Sequence, residues 1–271
     1  MTESTRRSSS RWRGIRGTVI DMEYAELSDL TTSIIDCPHS TPKWTSEGIF
    51  VIRNYNLVDG RIDLSGASYV SEEEYDFRIR RGKPEAGDIV LSREAPIGNI
   101  GIIPEGLKCC LGQRVVLIKV DRNKYDPYFL ALVLQSRFLQ HQMHNASGTG
   151  TTVSNLRIPY IEKLRIPIIV RQLQESIVKI IKCINDKIDC CNDINDNLEA
   201  LCQTKYFEMM EGLTLDYGEV QLSDYGEIVG GSTPSKSNPD YYTESGIAWL
   251  TPKDLSVNKS KFIAKGSIDI T

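Results

Sequence analysis

Gly48-Ile49-Phe50-Val51-Ile52 recurs in pattern 198 positions later as Gly246-Ile247-Ala248-Trp249-Leu250. Read outward from this pair, the match continues in order. Leu27-Ser28-Asp29 is answered by Leu222-Ser223-Asp224, Ser40-Thr41-Pro42 by Ser232-Thr233-Pro234, and Asn56-Leu57 by Asp254-Leu255. The offset drifts only between 192 and 198, as loop insertions would produce. Self-similarity on this scale marks an architecture assembled from copies of one unit. The chain reads as one whole module, a linker, and the first part of a second copy that stops at Thr271.

The linker carries its own pattern. From Gln172 to Met210 there is no Gly or Pro. Apolar residues stand at Leu173, Ile177, Ile180, Ile184, Cys191, Ile194, Leu198 and Leu201, in steps that alternate between four and three. Lys187 is the one seam position that breaks the rule, with Ile188 beside it. A heptad stripe sustained this long is a coiled-coil signature. At ~1.5 Å per residue the helix spans roughly 55–60 Å. A lone helix with one apolar stripe is not stable in water, so the seam needs a partner, either another chain or another helix. Gly212 is placed to end the helix.

Upstream, residues 25–167 are mixed but mostly strand-like. Ile49 to Arg53, Ile89-Val90-Leu91, Ile100 to Ile103 and Val115 to Val120 are short apolar runs separated by Gly and Pro, as buried strands are. Asp126-Pro127 starts a helix with a capping side chain and a proline in the first turn, and helical spacing continues to about Met143. Leu156-Arg157-Ile158-Pro159 and Leu164-Arg165-Ile166-Pro167 predict two short extended pieces, each ended by its proline.

Composition narrows the class. With 40% hydrophobic and 25% charged residues the chain is built like a globular protein, and no apolar run is long enough to span a bilayer. Residues 1–24 begin with a Ser- and Arg-rich stretch that has no apolar core of a secretory signal, and they read as a disordered basic tail. Seven cysteines without C-x-x-C spacing and only three histidines argue against a zinc site or a disulfide framework, so no metal is expected and the cytoplasm is the expected compartment. The net charge of −4 argues at first against nucleic acid. Residues 172–212, however, hold four Lys and eight Asp or Glu and account for all of it. Clustered charge decides a DNA surface, not the total.

A mixed module ending in a long heptad helix and followed by a second copy resembles the specificity subunit of type I restriction-modification enzymes. The resemblance runs through Ser40-Thr41-Pro42 and Ser232-Thr233-Pro234, Gly48-Ile49 and Gly246-Ile247, Gly87-Asp88-Ile89-Val90, Gly150-Thr151-Thr152 before Leu156, Ile166-Pro167, and Gln172-Leu173-Gln174-Glu175-Ser176-Ile177. The family usually has a Pro-Pro-Leu stretch and a Glu-Gln pair where this chain has Ile168-Ile169-Val170-Arg171 and Gln172-Leu173-Gln174-Glu175. The resemblance implies an α/β (α+β) target recognition domain over residues 25–167, a coiled-coil-forming spacer helix over 168–212, and an incomplete second recognition domain over 213–271. It implies a DNA-binding subunit without catalytic residues or cofactor. Methyltransferase subunits would dock on the spacer and bring S-adenosylmethionine chemistry, and a nuclease/translocase subunit would join them on a bipartite DNA target. The early stop reads either as a half subunit that pairs with a second copy through antiparallel helices or as a frameshift product needing a complementing fragment.

Candidate contact residues follow from the chemistry of DNA. The cluster Arg78, Arg80, Arg81 and Lys83 suits phosphate contact, or equally a charged edge strand. Arg53, Asn54 and Asn56 follow a strand and suit bidentate reading of guanine or adenine, or serve as ordinary turn residues. Arg93 and Arg114 flank strands and either face DNA or pair with Glu94 or Asp121. Thr149, Thr151 and Thr152, in a Gly/Thr loop without the lysine of a P-loop, offer hydroxyls to a phosphate or form a plain turn. Asp126-Pro127-Tyr128-Phe129 is a helix start rather than a methyltransferase loop, and His39, His141 and His144 lack the setting of a catalytic nucleophile. The competing reading is an oligomeric scaffold that assembles through the helix and binds no DNA.

Overall fold

The computed structural model describes residues 8–13, 19–146, 155–211, 220–235, 237–257 and 262–271, with side chains from residue 22 onward. Two units divide the chain, one running through Leu201 and one starting at Cys202. The first unit opens with strands β1 (Ser8–Arg13), β2 (Val19–Glu26), β3 (Thr31–Asp36), β4 (Trp44–Thr45), β5 (Ile49–Ile52), β6 (Leu57–Val58), β7 (Arg61–Ile62) and β8 (Tyr69–Val70). Helix α1 (Glu72–Arg78) leads to β9 (Ile89–Arg93), β10 (Ile97–Ile102), β11 (Cys109–Leu111) and β12 (Val115–Val120). Helices α2 (Pro127–Gln135), α3 (Arg137–Ala146) and α4 (Ile158–Glu162), strand β13 (Arg165–Pro167) and the long helix α5 (Arg171–Glu211) follow.

The centre is an antiparallel sheet in the order β10-β9-β12-β3. Its two middle strands are buried on both faces. Ile89, Leu91, Val116 and Ile118 face one core with Leu130, Leu134, Leu139 and Ile161 from the helices. Val90, Val115 and Leu117 point the other way, against Phe50, Ile52 and Cys109 of the second sheet and Leu57 of the β6-β7 pair. Double-sided burial is why these strands read as continuous apolar runs instead of alternating ones. The second sheet runs β11-β5-β8-β4, with β11 parallel to β5. A third sheet, β1-β2-β13, closes the unit.

Three local expectations change. Residues 1–24 are not a disordered tail where they are described: β1 and β2 pair in register, β2 also pairs with β13, and Tyr24 is buried. The helix from Asp126 is capped as expected, with Asp126 accepting from the Phe129 amide at 3.0 Å, but it stops at Ser136. That residue is extended, and its hydroxyl accepts from the Leu139 amide, so a second helix starts there. Pro159 does not end an extended piece; it sits in the first turn of α4, where its fixed φ is tolerated. Only the second proline closes a strand, β13.

Helix α5 is unbroken and carries two apolar faces. Val178 and the partly buried Ile177 join the core, and Gln174, 1% exposed, bridges the joint. Its side chain accepts from the Asp126 amide at 2.9 Å and donates to the Ile169 carbonyl at 2.7 Å. Farther along, the Lys182 ammonium lies 3.5 Å from the centre of the Tyr128 ring, and Arg61 pairs with Asp189. The seam residues Leu173, Ile180, Ile184, Cys191, Ile194, Leu198 and Leu201 remain exposed. Gly212 lies outside the described residues. Among those described, no helix is long and apolar enough to cross a membrane.

In the second unit β14 (Tyr242–Thr243), β15 (Ile247–Trp249), α6 (Pro252–Val257) and β16 (Ile268–Ile270) rebuild one corner of the first. Strand β16 lies between β14 and β15 as β8 lies between β4 and β5. Ile49 pairs with Val70, and Ile247 with Ile270. A Cβ on Gly48 would sit 2.4 Å from the Val70 carbonyl oxygen, and one on Gly246 2.3 Å from that of Ile270, so the same close approach requires glycine in both. Leu27–Leu30 and Leu222–Asp224 each form a 3-10 turn.

Cysteine chemistry separates the core from the helix. Cys37, Cys109 and Cys110 are buried, whereas Cys183, Cys190, Cys191 and Cys202 are exposed. Burial pushes the Cys109 and Cys110 thiols up to about 12 and raises Cys37 as well. At pH 8 a thiol of that pKa is only about one part in 10⁴ thiolate, and the thiolate is the nucleophile. Iodoacetamide on the native chain at nanomolar concentration is expected to give four adducts by mass spectrometry, all on α5. Seven are expected in denaturant; a native adduct on Cys109 or Cys110 would contradict the packing described.

Candidate nucleic-acid interface

The antiparallel order brings the C-terminal ends of β3 and β9 and the N-terminal end of β12 to one edge. Arg93 organises that edge from inside, its side chain only 10% exposed. Its guanidinium donates to both Asp36 carboxylate oxygens at 2.8 Å and to the Asn155 side-chain oxygen at 3.1 and 3.3 Å. Asp36 also meets His39 at 3.1 Å. Arg114 sits on the surface in the left-handed region, φ 66°, with Glu94 3.8 Å away. A non-glycine residue there is uncommon, and such strain clusters at functional corners. Beside it Gln113 donates to the His39 carbonyl.

The end of β5 joins this edge through two links. The Asn54 side chain donates to the Ala95 carbonyl at 2.6 Å, and the Gly112 amide donates to the Ile52 carbonyl at 2.8 Å. A Cβ on Gly112 would sit 3.0 Å from Arg53 Cγ, so glycine leaves the arginine stem its place. The Arg53 guanidinium carbon lies 5.1 Å from the Trp44 ring centre and 4.7 Å from that of Tyr55. Arg53 Nη1 donates to the Tyr55 hydroxyl at 3.3 Å, which in turn meets Ser68 Oγ at 3.1 Å. Trp44 and Tyr55 are both exposed. The edge therefore gathers three guanidiniums, those of Arg53, Arg93 and Arg114, against the carboxylates of Asp36 and Glu94, with amide donors and acceptors and two open aromatic rings between them.

Several sequence candidates are placed elsewhere. Arg78 is not a surface cation: its side chain is fully buried and donates to the Leu111 carbonyl at 2.9 Å, the Ser40 carbonyl at 2.6 Å and Glu74 at 3.0 Å. Asn56 is buried and holds the turn after β5, accepting from the Arg53 amide at 3.0 Å and donating to the Asp63 carbonyl at 2.9 Å. Arg93 is an internal tie, as given above. Arg80, Arg81 and Lys83 are exposed, and Arg80 lies 5.2 Å over the Phe77 ring. Thr149, Thr151 and Thr152 lie outside the described residues, although Asn155, the first described residue after them, bridges to Glu94 at the same edge. Reasoning from sequence missed Trp44, Tyr55 and Gln113. The described residues hold no group of His, Cys, Asp and Glu that would bind a metal ion.

The chain is 24% identical over 215 residues to the type I restriction enzyme MjaX specificity subunit of Methanocaldococcus jannaschii, an overlap of 77% of this chain and 50% of that protein. It is 31% identical over 94 residues to the EcoBI specificity subunit of Escherichia coli, which covers 35% of this chain and 20% of that one. The crystal structure of the HsdS subunit from Thermoanaerobacter tengcongensis aligns with a TM-score of 0.47 at 16% identity, over 84% of this chain and 59% of the other. The chain thus spans half the length of the MjaX subunit it matches. A family model described as the type I restriction modification DNA specificity domain matches residues 44–200, from β4 with its exposed Trp44 through most of α5, and the chain belongs to that family.

Proposed function

We infer that this chain is a non-catalytic DNA-recognition subunit of a type I restriction-modification complex. It directs methyltransferase and restriction subunits to a bipartite duplex target. The observation that carries the reading is the sheet edge itself. There Arg53 lies against two exposed aromatic rings, and Asn54, Gln113 and Arg114 add amide and guanidinium groups, a mix of phosphate-contacting and base-reading chemistry. The family assignment supports the same role. In this reading α5 is the spacer, and its exposed seam takes a matching helix from a second copy of the chain.

Duplex binding tests the reading against a scaffold that ignores DNA. Affinity for random-sequence duplex is expected to fall at least about tenfold between 50 and 200 mM salt, because each neutralised phosphate releases counterions. Arg114→Ala should lower the slope of that dependence by about one. Affinity that is flat in salt, or no binding at all at 50 mM, sinks the proposal.

A further inference from the structure

The internal duplication separates frame from insert at the corner that holds Arg53. Thr45 and Thr243 each donate a hydroxyl bond two residues on, to the carbonyls of Glu47 and Ser245. Gly48 and Gly246 make the same backbone approach. Asn56 accepts from the amide at position 53, and Asp254 accepts from the amide at position 251, at 3.0 and 2.8 Å. The frame thus keeps these three features in both copies. At the same places, however, Arg53 becomes Thr251, Tyr55 becomes Lys253, and Ser68 becomes Ile268. These three are the residues that form the hydrogen-bonded stack in the first copy.

The stack has a definite chemical character. Arg53 is half-buried between two rings, and Nη1 is committed to Tyr55. Among the described residues no carboxylate pairs with it, whereas Arg93 and Arg114 at the same edge both have one. A flexible arginine side chain gives up rotamer entropy when it is fixed. Here the rings have fixed it in advance, and the Nε–Nη2 side of a planar fork is left for an outside acceptor pair. Guanine O6 and N7 in the major groove are such a pair. So are two oxygens of one phosphate, but a flexible cation serves those as well.

We propose that Arg53, pre-set between Trp44 and Tyr55, is a specificity-determining residue that reads one guanine of the DNA target. Trp44 and Tyr55 act as positioning residues for it. This rests on the DNA-recognition reading above and adds to it the position and the base. Because Thr251 stands at the matching place, the second copy of the frame does not read guanine there.

The test is selection from a randomised duplex library by the full chain, wild type against Arg53→Lys, Arg53→Met and Tyr55→Leu, with thermal melting as a fold control. The wild type is expected to enrich a motif containing one guanine that Arg53→Met stops selecting, with discrimination there falling roughly 10- to 100-fold and the other positions unchanged. Arg53→Lys keeps the charge and loses the planar fork and its ring stack, so it should keep its salt slope and select the same guanine more weakly. This readout moves only if position 53 reads a base, and it stands even if Arg53→Met fails to fold. Tyr55→Leu should weaken selection at that position alone. Replacing the guanine with 7-deazaguanine should weaken the wild type more than Arg53→Lys. If Arg53→Lys selects that guanine as strongly as the wild type, or Arg53→Met weakens all sequences evenly and lowers the salt slope by about one, the acceptors are phosphate oxygens and the proposal is overturned. No binding by the wild type would remove the DNA reading itself.

Discussion

Arg78→Met is expected to lower the stability of the first unit by about 3–5 kcal/mol and to leave the salt dependence of DNA binding unchanged. The reason lies in what the substitution strands. The Arg78 side chain is fully buried and Glu74 is 10% exposed, so their ion pair is shielded from water. Methionine fills the volume of the stem but donates nothing. It leaves a carboxylate without its cation and the Leu111 and Ser40 carbonyls without a donor. Removing one partner of a buried pair costs about 3–5 kcal/mol, chiefly through the charge left behind. The double substitution Arg78→Met with Glu74→Leu should therefore recover part of the loss. Urea denaturation would show a lower midpoint at an unchanged slope. Wild-type stability together with a reduced salt slope would restore Arg78 to the surface as a phosphate contact.

That substitution also marks where reading from sequence stopped. The strands at the centre were legible because Ile89-Val90-Leu91 and Val115 to Val120 are apolar throughout, and only a sheet covered on both faces keeps such runs. Arg78 was not legible. Its neighbours Arg80 and Arg81 are exposed, and nothing in a run of basic residues says which of them turns inward. Besides Glu74 one turn back, the two carbonyls that hold it are 33 and 38 positions away. Asn56 failed for the same reason, since an Asn after a strand looks like a surface turn until its carbonyl partner at Asp63 is known. Ser136 broke a helix without Gly or Pro, because a hydroxyl that caps one helix needs only a serine. Trp44 and Tyr55 left no trace as a pair: Trp44 lies on β4, Tyr55 in the turn after β5 with β8 between the two strands, and Arg53 lies against both rings.

The helix was legible in one respect and hidden in another. The heptad spacing marks the exposed seam, and apart from Ile177 the structure keeps that stripe open along a continuous helix. The second face, which fastens the start of the helix to the core, had a signal that heptad counting passes over. Ile177-Val178 and Ile180-Ile181 are doubled apolar residues at two successive seam positions, so the stripe is about twice as wide in the first turns as afterwards. Val178 joins the core from this second face, and the partly buried Ile177 packs against it. Beyond Ile184 the residues beside the seam are Ile188 and the smaller Cys190 and Cys202, and all three stay exposed. The width of an apolar stripe, turn by turn, distinguishes the part of a helix that packs on its own domain from the part left for a partner.

Ile184→Glu combined with Ile194→Glu is expected to weaken self-association of the chain at least about 100-fold without lowering the melting temperature of the first unit. Neither side chain packs against the core, and each is about half exposed, 51% and 50%. The seam is nearly symmetric about Lys187. In an antiparallel pair Leu173 meets Leu201, Ile180 meets Ile194, and Ile184 meets Cys191 of the second copy. Completing the burial of a half-exposed Leu or Ile contributes roughly 1 kcal/mol, and a carboxylate set into the same seam adds a desolvation cost. Two substitutions per helix act four times in a pair, so a loss of about 3 kcal/mol or more is the expected floor, and about 1.4 kcal/mol is tenfold. The two Lys187 ammonium groups meet at the centre of such a pair, which gives a test of opposite sign: Lys187→Leu should tighten it. Cys191 should resist iodoacetamide at micromolar protein, where the pair forms, and react when the chain is diluted. A wild-type chain that sediments as a monomer at micromolar concentration, with Cys191 equally reactive at every dilution, would leave the seam to a different helix and end the case for a second copy.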